Sequence, residues 1–194
     1  MTLAKNGVTA DTLKNIFKGA GAVYKNLTFA TDAWSGTLLG ATSGGNSIEI
    51  TPDLGQFDID GVLVPVMGAD YINSYAAKAT VKLIEATKDA IKLATLAEAG
   101  TSTDATMDLL QLKDHVDATA GTGDYVTNIA VVFTSNDDDS TIIFVLENAI
   151  CTSGLKFDGT QKDPTVLELT FEPRAAALTA ATTLPVKIYT KKAV

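Results

Sequence analysis

The side chains that could do chemistry are few and far apart in this sequence. His115 is the only histidine, in Lys113-Asp114-His115-Val116-Asp117. A general base needs a nucleophile to deprotonate and a site for the developing oxyanion, and no neighbouring motif supplies either. Cys151, the only cysteine, follows an apolar run, where thiols usually serve as inert packing groups. Asp137, Asp138 and Asp139 could gather a calcium ion, but the spacing and closing glutamate of an EF-hand loop are absent, so the run is expected to be a solvated turn. Asp58 and Asp60 lie two apart on an expected strand and would point to the same side, about 7 Å between Cα atoms, as a glycosidase pair could. Nothing in the sequence marks either one as buried. The Gly40 to Gly45 segment lacks the Lys-Ser/Thr ending of a phosphate loop and leads into a strand, not a helix. The expectation is a chain that is not an enzyme, with no cofactor and no metal site.

Composition points the same way. The chain has 194 residues, 46% of them hydrophobic and 20% charged, which suits one folded domain over 1–194 and not a disordered segment. Fifteen Lys and Arg against 23 Asp and Glu give a net charge of -8, so tight binding to phosphate backbones is disfavoured. One cysteine excludes an internal disulfide framework. No apolar run is long enough to span a bilayer, and the first residues lack the apolar stretch of an export signal. No membrane association is expected.

The elements that would position these residues are mostly strands. A first strand is expected within 20–31, interrupted by a loop holding Trp34, the only tryptophan. Ile48 and Ile50 alternate with polar residues up to Pro52-Asp53, and Phe57 and Ile59 alternate with Asp58 and Asp60 in a short partner strand. Over 70–85, Ala77, Ala79, Val81 and Leu83 share one face and Lys78, Thr80 and Lys82 the other. Thr87 caps a helix expected over 88–99, its Ile91 and Ala94 face on a sheet and Gly100 its stop. Residues 101–124 read as a long ordered loop. Residues 125–134 and 141–151 form a hairpin whose second strand is apolar on both faces and belongs in the middle of the assembly. Strands over 166–172 and near Val186 to Tyr189 complete a mainly β (α+β) chain. The fold class expected is a β-sandwich or barrel of about seven to nine strands with one packed α-helix and a long hairpin.

One stretch has a more specific order of punctuation. Gly40-Ala41-Thr42-Ser43-Gly44-Gly45 leads into the strand ending at Pro52-Asp53. Then come Asp58-Ile59-Asp60-Gly61-Val62 and Pro65-Val66-Met67-Gly68. This order resembles the N-terminal signature of phage tail tube proteins, best over 40–96. The resemblance implies a helix-bearing β-sandwich whose subunits close into hexameric rings. The rings stack into a hollow tail tube through which double-stranded DNA passes without specific binding. Its implied partners are copies of itself, a tape-measure protein and tail terminator and initiator proteins. Its implied place is the virion tail, after synthesis and assembly in the host bacterial cytoplasm. On this reading subunit contacts fall to Trp34, Leu38, Leu39, Asp53, Phe57, Lys78 and Lys82, with core cap and interface anchor equally open for Trp34. An acidic lumen would repel DNA, so Lys78 and Lys82 are expected to face away from it or to pair with a neighbour's carboxylates. The segments 38–46 and 100–124 are expected to stay mobile until rings stack. The alternatives are the tube of a contractile injection machine and a carbohydrate-binding β-sandwich, for which the aromatics look too scattered.

Overall fold

The computed structural model describes residues 7–9, 12–119, 122–135, 140–159, 161–178 and 182–191. Among them the chain forms ten strands and one α-helix. In order these are β1 (Ala22–Ala30), β2 (Ala33–Leu38), β3 (Ser47–Gln56), β4 (Asp70–Leu83), α1 (Lys88–Thr95), β5 (Glu98–Gly100), β6 (Leu109–Gln111), β7 (Val126–Thr134), β8 (Thr141–Cys151), β9 (Leu167–Glu172) and β10 (Val186–Tyr189). A single 3-10 turn, Leu13–Asn15, precedes them. The mainly β fold class read from the sequence holds.

The strands are antiparallel in the order β2-β1-β7-β8-β9-β4-β3, with β10 also on β8 and β5-β6 as a separate ribbon. The main sheet folds on itself along β8. Its early residues pair with β7 and β10, and only Ile150 and Cys151 pair with β9. Between these partners Asn148 takes a positive φ of 47°, and this local kink re-aims the strand. The inward residues of both halves then meet in one core: Val23 of β1, Ile129 and Val131 of β7, Leu146 of β8, Val81 and Leu83 of β4, and Leu169 and Phe171 of β9. Strict alternation drives this. In β9 Leu167, Leu169 and Phe171 are buried while Glu168, Thr170 and Glu172 face outward, as a period of two requires.

Helix α1 starts where expected, with the Thr87 hydroxyl accepting from the Ala90 N–H at 3.2 Å. It buries Ala90 and Ala94 in the core, with Leu93 packed beside them and Ile91 only half-buried. It ends short of Ala99. Leu96 turns left-handed at φ 53°, and the Ala97 N–H bonds back to the Lys92 carbonyl. The chain then enters β5, so Gly100 pairs with Leu109 instead of stopping a helix.

Four other expectations need correcting. Trp34 sits on a strand and not in a loop, because Thr31 and Asp32, at φ 52° and 58°, make the tight turn that joins β1 to β2. Strand β3 runs through Pro52 to Gln56. It is the outermost strand of the sheet, and an edge accommodates proline where its missing N–H would face solvent. Phe57 and Ile59 form no strand of their own; the partner of β3 is β4. The glycine-rich 39–46 connection is tied down, not loose. Leu39 N–H donates to Val23, Ser43 N–H to Lys82, and the Ala41 carbonyl accepts from Ile84 N–H. Asn46 donates to the Ala20 and Gly21 carbonyls and accepts from the Lys82 N–H. Its glycines supply the positive φ values this path demands, 82° at Gly44 and 86° at Gly45.

The β1-β2 hairpin does not continue flat along β7. Strand β1 pairs with β7 only from Ala22 to Lys25. Asn26 then bulges at φ 55°, and Leu27 packs over Ala130, Ile143 and Val145 on the outer side of the β7-β8 layer. The side chain of buried Asn128 takes the place of the lost ladder. Its Oδ1 accepts from Leu27 N–H at 2.8 Å and its Nδ2 donates to the Leu27 carbonyl at 3.0 Å.

Candidate assembly surface

The distal half of the β3-β4 hairpin leaves the body of the protein. Strand β9 pairs with β4 only from Ala79 to Leu83. Beyond that point every β4 residue from Asp70 to Ala76 is exposed, as are most of their β3 partners. The result is a two-stranded arm, with a register shift between Asp53 and Leu54. An isolated pair of strands is marginal in water, and small devices hold this one. The Phe57 and Tyr71 rings lie 4.7 Å apart, Phe57 N–H donates to the Ala69 carbonyl, and the Tyr71 ring covers Gly55 so closely that a Cβ there would stand 2.6 Å from it.

The arm ends in residues 57–69, shaped by hydrogen bonds from Val62 N–H to Ile59 and from Ala69 N–H to Val66. The tip is apolar and wet. Leu63 is 98% and Met67 99% exposed, with Leu54, Phe57, Val64, Ile72 and Tyr75 also open to solvent. Covering Leu63 and Met67 alone would contribute about 3–6 kcal/mol before the losses of association are subtracted. A contiguous apolar projection of this kind marks an interaction surface. The arm is also acidic. It carries Asp53, Asp58, Asp60 and Asp70 and, from Thr51 to Ala76, no Lys or Arg.

A second apolar feature lies on the outer side of the β7-β8 layer. Phe29 and Trp34 at the end of the folded-over hairpin, and Tyr189 of β10, come together although they are distant in sequence. Trp34 is 5.0 Å from each of the other two rings, at interplanar angles of 55° and 73°. With Ile143, Thr141 and Lys191 they line a groove of about 650 Å³.

The residues expected at subunit contacts divide between these features and the core. Phe57 and Asp53 are exposed on the arm, Trp34 is in the groove, and Leu38 is exposed at the end of β2. Leu39 is 4% exposed and packed in the core, which removes it from any contact set. Its neighbour's alternation and the backbone bond to Val23 turn it inward. Lys78 and Lys82 point away from the core and are paired within the chain, not with a neighbour's carboxylates: with Glu49 at 3.0 Å and Glu168 at 3.8 Å. They belong to the outer face of β3-β4-β9, where Thr80 and Thr170 also sit.

The candidates for catalysis stand apart. His115 Nδ1 lies 2.9 Å from Asp114, both exposed, and the imidazole holds that carboxyl below its ordinary range. Asp58 and Asp60 lie in the exposed tip segment, not on a strand. Cys151 is buried, its Sγ 3.5 Å from the Ser153 hydroxyl. Asp137, Asp138 and Asp139 lie outside the described residues. No cluster of three metal-ligating side chains occurs among the described residues.

The expected loop over 101–124 holds an unexpected centre. Lys113 Nζ meets Asp124 Oδ2 at 2.8 Å with both side chains nearly sealed from water. The same oxygen accepts from Asp117 N–H at 2.7 Å, and the backbone N–H groups of Gly123 and Asp124 return to the Thr119 and Asp117 carbonyls. The Thr119 hydroxyl and N–H hold the Asp117 carboxyl below its usual range. This segment is built around its ion pair and is not loose. The signal for it, alternating Lys and Asp in a Thr and Gly-rich stretch, is too common to single out in a sequence.

Among the described residues no helix is long and apolar enough to cross a membrane. No protein-family model matches the chain, and no curated protein matches it in sequence.

Proposed function

We infer that this chain is a structural subunit of a phage tail tube, closing with copies of itself into rings, hexameric as the resemblance implies, that stack into a conduit for double-stranded DNA. The observation that carries the reading is the β3-β4 arm, an extended ribbon with an apolar tip that the described residues leave uncovered. The sheet supports it with open edges at β2 and β3, because edges left exposed invite pairing and a closed ring consumes them. The outer face of β3-β4-β9 is the favoured lumen lining, so on this reading Lys78 and Lys82 face the DNA, against the expectation that they would turn away from it. This face is rich in Ser and Thr, its lysines are neutralised by Glu49 and Glu168, and such a surface offers few cations to retain phosphate. Tape-measure, terminator and initiator proteins would be the partners, and the virion tail the site, after assembly in the host bacterial cytoplasm. The chain acts without catalysis.

A tube of a contractile injection machine would use the same surfaces for a protein cargo. A carbohydrate-binding module is the reading from a different class, and the Phe29, Trp34 and Tyr189 cluster is what favours it. Negative-stain electron microscopy of concentrated protein, with sedimentation, separates either tube reading from the carbohydrate-binding one. Rings or hollow filaments of uniform width are expected. A chain that stays monomeric at every concentration, alone and on short preformed tube ends, overturns the reading.

A further inference from the structure

We propose that Lys113 and Asp124 mature from an ion pair into an internal isopeptide bond, an amide joining their two side chains. The inference makes no use of the self-assembly reading, so either one can fail while the other stands.

The reacting groups are already in contact and nearly dry. Lys113 Nζ is 2.8 Å from Asp124 Oδ2, with 10% of the lysine side chain and 3% of the aspartate side chain reaching water. In such a site a charged pair is poorly solvated, and one proton passing along that hydrogen bond leaves a neutral amine beside a neutral acid. Those are the reactive forms: a nitrogen with a free lone pair and an electrophilic carboxyl carbon. The same Oδ2 accepts from Asp117 N–H at 2.7 Å, a backbone donor placed where negative charge gathers as the carbon turns tetrahedral. That donor is held in position. Asp124 N–H returns to the Asp117 carbonyl and Gly123 N–H to the Thr119 carbonyl, each at 2.9 Å. Asp117 also brings a second carboxylate, which accepts from the Thr119 N–H and hydroxyl and is close enough to feel the lysine's charge. It can relay a proton from the nitrogen to the leaving oxygen. The step balances without an oxidant or an activating co-reactant. The Nζ–Cγ bond forms, one Cγ–O bond breaks, and that oxygen departs as water with two of the three ammonium protons. One neutral amide then replaces two buried charges whose desolvation opposes folding.

Intact mass spectrometry of the full chain reads the bond directly. Chain held folded at neutral pH for days should lose the mass of one water. Chain kept in denaturant, where the two side chains are apart, should keep its full mass. Asp60-Gly61 and Asp158-Gly159 can each lose water by closing a cyclic imide, so the loss must be located. Proteolysis before Asp117 should leave the fragments carrying Lys113 and Asp124 joined. Lys113→Arg, which keeps the cation and lacks the amine, should stay at full mass. A parent chain that is folded by circular dichroism and keeps its full mass overturns the proposal and leaves a plain ion pair. A water loss that maps to either Asp-Gly site, or that persists in Lys113→Arg, overturns it equally.

Discussion

Replacing Asn128 with alanine tests whether one side chain holds the folded-over β1-β2 hairpin in place. The carboxamide makes two buried hydrogen bonds, 2.8 and 3.0 Å long, to the N–H and carbonyl of Leu27. Where β1 leaves β7, no strand offers those groups a partner. The alanine variant leaves both orphaned against a packed surface of Ala130, Ile143 and Val145. Each unsatisfied buried group costs about 1–3 kcal/mol, and partial access of water to the vacated space keeps the total near the lower end, about 3 kcal/mol. For a chain of this size that lowers the melting temperature by about 6–12 °C. The hairpin carries Trp34, so urea titration followed by tryptophan emission should show the change at a lower midpoint than circular dichroism of the sheet. Asn128→Asp keeps the acceptor and loses the donor. It should be destabilised at neutral pH and recover as the pH falls and the protonated acid can again donate to Leu27. A loss under about 1 kcal/mol in the alanine variant, within the range of surface substitutions, or emission and dichroism midpoints that coincide, would refute the account of Asn128 as a substitute for the ladder.

Lys113→Ala strands the Asp124 carboxylate in a sealed site and should cost about 3–5 kcal/mol in denaturant titration; the double variant Lys113→Met with Asp124→Leu should regain much of it. Gly123→Ala places a methyl group 2.4 Å from the Asp117 carbonyl oxygen, backbone that cannot swing aside, and a loss of at least about 1–3 kcal/mol by thermal melting is expected. Asp89 has its carboxyl lowered below the ordinary value first by a hydrogen bond from Lys25 and then by that lysine's charge. A lowered folded-state pKa adds stability that is present above the unfolded value, about 4, and disappears as pH falls through the lower folded one. The side chain of Asp89 is largely exposed, so solvent screening limits the effect to at most about 1 kcal/mol. Comparing acid titrations of the parent and Asp89→Asn should show a difference that is full at neutral pH and closes along that acid limb.

The sequence made the alternating strands legible because their burial is local in origin. Leu167, Leu169 and Phe171, or Ala77 to Leu83, declare an inner face by period alone. The same is true of the cap at Thr87, whose hydroxyl needs only its own helix. What escaped were features that depend on distant partners. Helix α1 stops early because Leu96 turns left-handed and β5 finds β6, and neither is encoded in the helical spacing. Pro52 looked like a strand end because nothing in the sequence identifies β3 as an edge. Phe29, Trp34 and Tyr189 looked scattered because a bulge at Asn26 and a pairing between β10 and β8 are what unite them. The arm was half visible: Asp53 and Phe57 were singled out, but the apolar run from Val62 to Met67 was read as a motif and not as an exposed tip. The glycines before it suggested mobility, whereas Asn46 bolts that connection to both layers.

The exposed arm also bears on how long a chain survives. Proteases cut extended segments at loop tips far more readily than packed strands, and residues 57–69 offer such a segment with its apolar side chains outward. On the self-assembly reading, a subunit outside the tube keeps this cleavage point open while a subunit inside it has the point covered. Degradation would then remove the surplus and spare the finished structure, giving stoichiometric control without any dedicated regulator. Nicked chains, lacking an intact tip, would be poor competitors for the growing end. The same apolar residues would thus set both the adhesion of the subunit and its turnover.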